Sequence, residues 1–321
     1  MSHAANRYSV VADIGGTNTR VALAEGRQVI AATVRRYANA EFPGLETVLR
    51  RFIADEGGVD ARACCVAVAG PVQGGRATMT NLDWTMDEAT LARATGAEAV
   101  ALLNDLQAQG HALGHIAPDL IRTVIAFPES APDATRLVIG VGTGFNAAPV
   151  FDGRHGRLVP PSESGHVNLP VRTEADMRLA AFVGSAHGFP AAEDVLSGRG
   201  IEHVYAWAGD EAGTPREARA QDIMAALDRG DDPVAAAAAE VFVRMLGTVA
   251  GNLALIQLPF GGIYLVGGVA RAFAPWLDRF GFATAFRDKG RFAGFMGNFG
   301  VGVVEDDYAA LTGCAAYLAA G

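Results

Sequence analysis

The sequence predicts an α/β fold made of two similar halves, and three observations carry that expectation. Apolar strand runs alternate with helix-spaced segments over the first 110 residues, the pattern of βαβ architecture. A unit of strand, glycine-rich turn and strand near the N-terminus recurs 127 residues later, with Gly142 falling on Gly15. Half of the 321 residues are hydrophobic and 19% are charged, so a sizeable core is available and the composition argues against disorder. The length suits one large domain or two ordinary ones.

Taken in order, "YSVVADIG", "RVALAEG" and "VIAATVRRY" read as strands because they are apolar runs bounded by turn residues. "FPGLETVLRRFIADEG" has helical spacing. "ARACCVAVAGPV" is a buried strand ending at Gly-Pro. In "TMDEATLARATG", Thr85 with Glu88 three residues on has the form of a capping box. "AVALLNDLQAQGHALG" is a short strand running into a helix. From Val138 the stretch "VIGVGTGFNAAPVFDGRHG" repeats the first hairpin. Gly142-Thr143-Gly144-Phe145-Asn146 falls on Gly15-Gly16-Thr17-Asn18-Thr19, and Asp152-Gly153-Arg154 falls on Glu25-Gly26-Arg27, which implies an internal duplication. Helices follow at "TEADMRLAAFVG", at "FPAAEDVLSGRGIEHVYAWAG" led by Glu193 and Asp194, at "PREARAQDIMAALDRG" and at "DPVAAAAAEVFVRMLGTVAGNLALIQL". "GGIYLVGGVARAF" is a strand, a glycine turn and a helix start, and "DDYAALTGCAAYLAA" is a closing helix.

Composition removes several function classes. Acidic residues number 35 and basic residues 26, a net charge of −9, without the basic stripe that a nucleic-acid partner requires. The cysteines Cys64, Cys65 and Cys314 have no zinc-like spacing, and this usage suits a reducing cytoplasm. The opening "MSHAANRYSV" lacks the apolar stretch of a signal peptide. Residues 245–270 carry no charge, but Pro259 and the Gly261-Gly262 pair interrupt them. They read as a buried helix to about Leu258, a turn and a strand rather than a membrane span. His111 and His115 have the spacing of a metal pair, yet no third ligand and no glutamate lies between them. No Walker-A pattern is present, so a nucleotide is not held by a P-loop.

Asp13 stands out. A carboxylate set into an apolar strand is costly unless it is paired, hydrogen-bonded or near a cation. The glycines after it let backbone N–H groups approach an anion, and two such hairpins facing each other would put N–H groups on both sides of a polyphosphate. Asp105, after Asn104 at the end of "AVALL", is a carboxylate at a strand end, able to accept a hydroxyl proton.

"ADIGGTNTRVAL", "LNDLQAQG", "GVGTGF", "ESGHVNLP", "AAEDVLSGRGI", "GGIYLVGGVA" and "FRDKGRF" occur in one order from about residue 10 to the C-terminus. That series resembles the bacterial glucokinases of the actin-like, hexokinase-type ATPase superfamily. The chain lacks the cysteine-rich zinc motif of the related repressor and sugar-kinase group, so it resembles the other branch. The resemblance implies a two-lobed, ribonuclease H-like fold that closes on its sugar and excludes water. Residues 1–115 with 305–321 would form the small lobe and 116–304 the large one.

The resemblance also assigns roles. Asp13, Ile14, Gly15, Gly16, Thr17 and Asn18 would form the first phosphate loop, with Asp13 facing Mg²⁺ through water. Gly142, Thr143 and Gly144 would form the second loop, and Gly267 and Gly268 the turn beside the adenosine of ATP. Asp105 would be the general base. Asn104, Asp105, Glu163, His166 and Glu193 would grip glucose, since carboxylates, amide and imidazole match hydroxyls that both donate and accept. ATP and Mg²⁺ are the implied cofactors, glucose the partner, and a cytoplasmic homodimer without nucleic acid or membrane the implied setting.

Two departures stand against the family pattern. Its second loop reads Gly-Thr-Gly-Leu-Gly, where this chain has Gly142-Thr143-Gly144-Phe145-Asn146. Its Gly-Glu-Gly-Gly-His is here Ser162-Glu163-Ser164-Gly165-His166. Asn146 is expected to add a side chain where backbone approaches ligand, and the serines to stiffen a loop beside the sugar. The alternatives are therefore a kinase for a different hexose or hexosamine and, disfavoured by Asp13 and Asp105, a non-catalytic sugar sensor.

Overall fold

The structure is a computed structural model that describes residues 7–79, 82–154 and 156–320. Two compact units divide the chain: Met1–Pro118 with Arg154–Pro161 and Asp306–Gly321 form the first, and Asp119–Gly153 with Ser162–Glu305 form the second.

The first unit opens with strands β1 (Tyr8–Ile14), β2 (Asn18–Glu25), β3 (Gln28–Val29) and β4 (Arg35–Ala38), then helix α1 (Leu45–Asp55) and β5 (Ala61–Val68). Next come β6 (Val72–Gln73), β7 (Arg76–Thr78), β8 (Thr85–Asp87), α2 (Glu88–Thr95), β9 (Ala99–Asn104) and α3 (Asp105–Ala112). The main sheet runs β3-β2-β1-β5-β9, with β4 also on β2. β1, β5 and β9 are parallel, and Ile14, Val68 and Asn104 lie abreast at their carboxyl ends. Alternation along β1 and β5 sends Val10, Ala12, Cys64 and Val66 to the face covered by Leu49 and Phe52 of α1. Val11, Cys65 and Ala67 go to the opposite face. A parallel sheet covered on both sides has near-continuous apolar strands for this reason.

The second unit contains β10 (Ile121–Ile125), β11 (Arg136–Val141) and β12 (Phe145–Gly153). After β13 (Gly156–Leu158), which belongs to the first unit, come α4 (Glu174–Gly184), α5 (Gly198–Glu211), α6 (Ala220–Arg229), α7 (Pro233–Gln257) and β14 (Ile263–Val266). α8 (Gly268–Phe273), α9 (Phe282–Arg287) and β15 (Val301–Val304) complete it, and α10 (Ala309–Leu318) returns to the first unit. α10 covers the second face of the first sheet with Leu311, Cys314 and Ala315. α7 has the length and apolarity of a membrane span, but it buries Ala238, Phe242 and Leu246 in the core of the second unit, as the sequence predicts.

The two units repeat one pattern. β2-β1-β5-β9 is matched by β12-β11-β14-β15, each an antiparallel hairpin followed by two parallel strands. The register corrects the sequence alignment by one residue. Four residues, 15–18, separate paired Ile14 and Thr19, whereas three, 142–144, separate paired Val141 and Phe145. Phe145 thus takes the place of Thr19, and Asn146, paired with Gly140, takes that of Arg20, paired with Asp13.

Three further expectations change. Segment 154–161, expected in the large lobe, belongs to the first unit. There the Arg157 guanidinium donates to the carbonyls of His111 at 3.0 Å and of Leu113, and Gln107 Nε2 donates to the Val159 carbonyl at 2.9 Å. "VIAATVRRY" is two strands, both on β2, split by a 3₁₀ turn at Ala31–Thr33. α2 is capped by Asp87, whose carboxylate accepts the Thr90 N–H at 2.8 Å, and Thr85 lies in β8.

Candidate active site

β1 ends in the first glycine hairpin. The Ile14 side chain is fully buried, so only its backbone is available to a ligand. Gly15 N–H donates to the Asn18 carbonyl at 2.9 Å, closing a turn whose tip, Gly16 and Thr17, is exposed. A residue that sequence reasoning missed fastens this turn. Asn39, 2% exposed, accepts from the buried Thr19 hydroxyl at 2.8 Å and donates from Nδ2 to the Gly15 carbonyl at 2.8 Å. Its backbone N–H donates to the Thr17 carbonyl at 2.9 Å.

Asp13 sits opposite Arg20 across the hairpin, with Arg20 Nη1 3.7 Å from Asp13 Oδ2. Arg20 is fixed by donating to the Asp307 carbonyl at 3.2 Å. Burial pushes the Asp13 carboxyl up to about 6; Arg20 opposes the rise and the negative charge of Asp105 adds to it. Asp105 is exposed as the first residue of α3, and its Oδ1 accepts the Leu106 N–H at 2.8 Å. Asn104 is the N-cap of α3: its Oδ1 accepts the Gln107 N–H at 2.6 Å, and Gln107 Oε1 accepts the Asn104 N–H at 3.1 Å. The end of β1 and the start of α3 therefore bring Asp13, Asn104 and Asp105 to one edge of a parallel sheet, the carboxyl edge where such sheets bind ligands.

In the second unit the other hairpin turns through Gly142, Thr143 and Gly144, closed by Gly142 N–H to the Gly144 carbonyl at 2.9 Å. Glu193 lies in a 3₁₀ turn, Ala192–Asp194, ahead of α5 rather than leading that helix, which is capped by Ser197. From there Glu193 Oε2 accepts the Phe145 N–H at 2.8 Å. A Cβ on Gly144 would stand 2.5 Å from that oxygen, and one on Gly165 would fall on the Phe145 carbonyl. The segment of Glu163 and His166, both exposed, is thus packed on the same residue that holds Glu193.

The family glycines separate into two kinds. Gly267 has φ +103°, and a Cβ there would stand 2.5 Å from the Val141 carbonyl, so the fold itself demands glycine. Gly142 and Gly268 face open space. Both line a cavity of about 620 Å³ with Thr143, Met224, Asp228 and Val269, mostly apolar with few polar groups, as cofactor sites are. A cavity of about 730 Å³ among Arg172, Glu240, Arg244 and Thr284 holds none of the expected site residues. Among the described residues no cluster fit to hold a metal exists. α3 ends at Ala112, so His111 and His115 do not share a helix face.

Comparison with known proteins gives the family. The family model for glucokinase matches residues 10–321. The chain belongs to the glucokinase family. A glucokinase from Saccharophagus degradans is 33% identical over 313 residues, covering 96% of this chain and 97% of that one. The crystal structure of a glucokinase from an Antarctic psychrotroph, 29% identical, superposes with a TM-score of 0.87 over 97% of this chain and 98% of that chain. One from Balamuthia mandrillaris in complex with glucose, 23% identical, shares the fold with a TM-score of 0.82 over 100% of this chain and 96% of that one.

Against the glucokinase pattern, Asn146 does not point its side chain at the open hairpin turn. Its Nδ2 donates to the Ser162 carbonyl, and its Oδ1 accepts from the Ser164 N–H at 2.9 Å and the Ser164 hydroxyl at 3.0 Å. The expectation that it crowds the ligand is corrected: the side chain is turned into the 162–164 loop.

Proposed function

We propose that this chain transfers the γ-phosphoryl group of ATP to the 6-hydroxyl of glucose, giving glucose 6-phosphate and ADP. It is an ATP-dependent hexose kinase. The observation that carries the reading is the carboxylate pair Asp13 and Asp105 at the carboxyl edge of β1 and β9, with the charge of Asp105 adding to the rise of Asp13. One faces the glycine hairpin and the other opens a helix beside it, so the two suit different tasks.

Asp105 is the general base. Its Oδ1 accepts the Leu106 N–H, and the carboxylate accepts the proton as the sugar oxygen attacks γ-phosphorus and the bond to the β–γ bridging oxygen breaks. The Gly15–Thr17 turn and the Gly142–Gly144 turn supply N–H groups and hydroxyls for phosphate oxygens, and the cavity beside Gly268 takes the adenosine. The described residues offer no three-ligand cluster, so a divalent cation would rest on the single carboxylate Asp13 beside the open glycine turn, with water and phosphate oxygens as its other ligands. Asp13 would hold Mg²⁺ through water, and the cation would supply neutralisation of phosphate charge when bound with the nucleotide.

For the sugar, Glu163, His166 and Glu193 contribute. Glu193 offers Oε1, since Oε2 is on Phe145. Asn104 offers its Nδ2, since its Oδ1 caps α3. A cytoplasmic homodimer working in glycolysis completes the proposal.

The test is a coupled ADP-release assay over a hexose panel, run on wild type and Asp105→Asn. Glucose is expected to give the highest kcat/KM, and the amide, which keeps the shape but accepts no proton, to lose at least about 10²-fold in kcat. A preference for mannose, fructose or N-acetylglucosamine would replace glucose as the substrate. Near-normal turnover in Asp105→Asn would remove Asp105 as the base.

A further inference from the structure

We propose that Asn146 is the positioning residue of the loop carrying Glu163 and His166, and that Asn146, Ser162 and Ser164 act as one lock on the sugar-binding groups. The inference rests on the hexose-kinase reading above. Asn146 is the second residue of β12 and is half-buried. An amide oxygen has two lone pairs, and here Oδ1 takes three donors: Ala147 N–H at 2.8 Å, Ser164 N–H at 2.9 Å and Ser164 Oγ at 3.0 Å. Nδ2 donates to the Ser162 carbonyl. The residues so held, 162 and 164, flank Glu163, so the backbone on both sides of that carboxylate is fixed to β12.

Two neighbouring contacts converge on the same strand end. The Phe145 N–H holds Glu193 Oε2 at 2.8 Å, and Gly165 lies so close to the Phe145 carbonyl that no Cβ fits. His166 N–H closes the loop on the Glu163 carbonyl at 3.1 Å. The dipeptide Phe145-Asn146 is therefore the common anchor of Glu163, His166 and Glu193. Rigid support of this kind lowers the ordering cost that a ligand otherwise meets on binding. The lock also decides what the Ser164 hydroxyl does. Ser164 Oγ is directed at Asn146, so it acts within the loop and not on a hexose substituent. Glucose affinity should depend on the lock; the order of hexose preference should not.

The experiment compares wild type, Asn146→Gly, Ser164→Ala, the double variant and Asn146→Asp. Steady-state KM is measured for both substrates, and glucose binding is measured by calorimetry without nucleotide. Asn146→Gly is expected to raise the glucose KM and Kd about tenfold, as loss of a hydrogen-bond set warrants, with the ATP KM within about twofold. Ser164→Ala should raise the glucose KM by about threefold alone and add nothing to Asn146→Gly, the mark of coupled residues. Asn146→Asp keeps the acceptor for Ser164 and loses the donor to Ser162, so it should fall between wild type and glycine. Unchanged glucose affinity in folded Asn146→Gly, a shift in ATP KM instead, or effects that simply multiply would each overturn the lock. If Asn146→Gly does not fold, unchanged glucose affinity in Ser164→Ala overturns it. Failure of the underlying reading is separate: it shows as wild type phosphorylating no hexose. Should wild type prefer another hexose, the same variants are read on that sugar.

Discussion

Asp13 is held between two opposing influences. Burial raises its carboxyl to about 6, and the Arg20 guanidinium pulls the other way. A raised acid binds its proton more tightly in the folded protein than in the unfolded chain. Between the ordinary value of 3.8 and about 6 the folded state therefore holds more protons, and stability falls as pH rises through that window. The full cost of the charge, no more than about 3 kcal/mol, is present above the folded value. On the proposed role of Asp13, a cation would favour the charged form, so its binding below that value would release the proton. Calorimetry of Mg-nucleotide binding from about pH 7 to about pH 5 should show affinity falling by up to about tenfold per unit below the Asp13 value. Asp13→Asn should flatten that part of the slope and weaken nucleotide binding while sparing glucose. An identical pH slope in wild type and variant would place the proton elsewhere.

The hairpins show what an element adds to its residues. A Gly-Gly-Thr turn is pliable by composition, and Asn39 removes that freedom with three hydrogen bonds from a neighbouring strand end. Asn39→Ala leaves the buried Thr19 hydroxyl and the Gly15 carbonyl without those partners. The expected cost is roughly 2–3 kcal/mol, read as a lower Tm, with the ATP KM rising more than the glucose KM. A variant with wild-type Tm and ATP KM would show the turn to be rigid without its strap. The existence and type of β1, β2, β5, β9 and α7 were legible because period and apolarity are local. The helix starts were less so. Thr85 and Glu88 have capping-box form, yet Asp87 caps α2 because Thr85 belongs to β8 and pairs with Thr78 of β7. Glu193 and Asp194 resemble a helix lead, yet Asp194 Oδ2 closes its own turn on the Ala191 N–H at 2.9 Å.

At the scale of the molecule, the chain returns twice to the unit it began. Segment 154–161 comes back on α3 through Arg157, and α10 comes back to cover β1 and β5. Gly313 is where α10 meets α3, and a Cβ there would fall on the Ala108 carbonyl. Two effects compete in Gly313→Ala. Helix propensity favours alanine by about 1 kcal/mol, and the clash with unyielding backbone costs about 1–3 kcal/mol. The clash is expected to win, so denaturant unfolding should give a lower midpoint. A higher midpoint would mean that the two helices separate without loss.

The sequence by itself determined the α/β class, the duplicated hairpin, the core helix α7 and the positions of the acids, because periodicity, glycine turns and strand ends are set by residues within a few positions of one another. Tertiary structure alone decided which partners those residues meet. Asn39 reaches Gly15 across 24 residues, Glu193 reaches Phe145 across 48, and Arg157 reaches His111 across 46. Asn146 reaches Ser162 across 16, which turns two apparent departures into one contact. Hydrogen bonds between segments so far apart leave no period in the chain; they exist only once the sheet has brought the strand ends to a common edge.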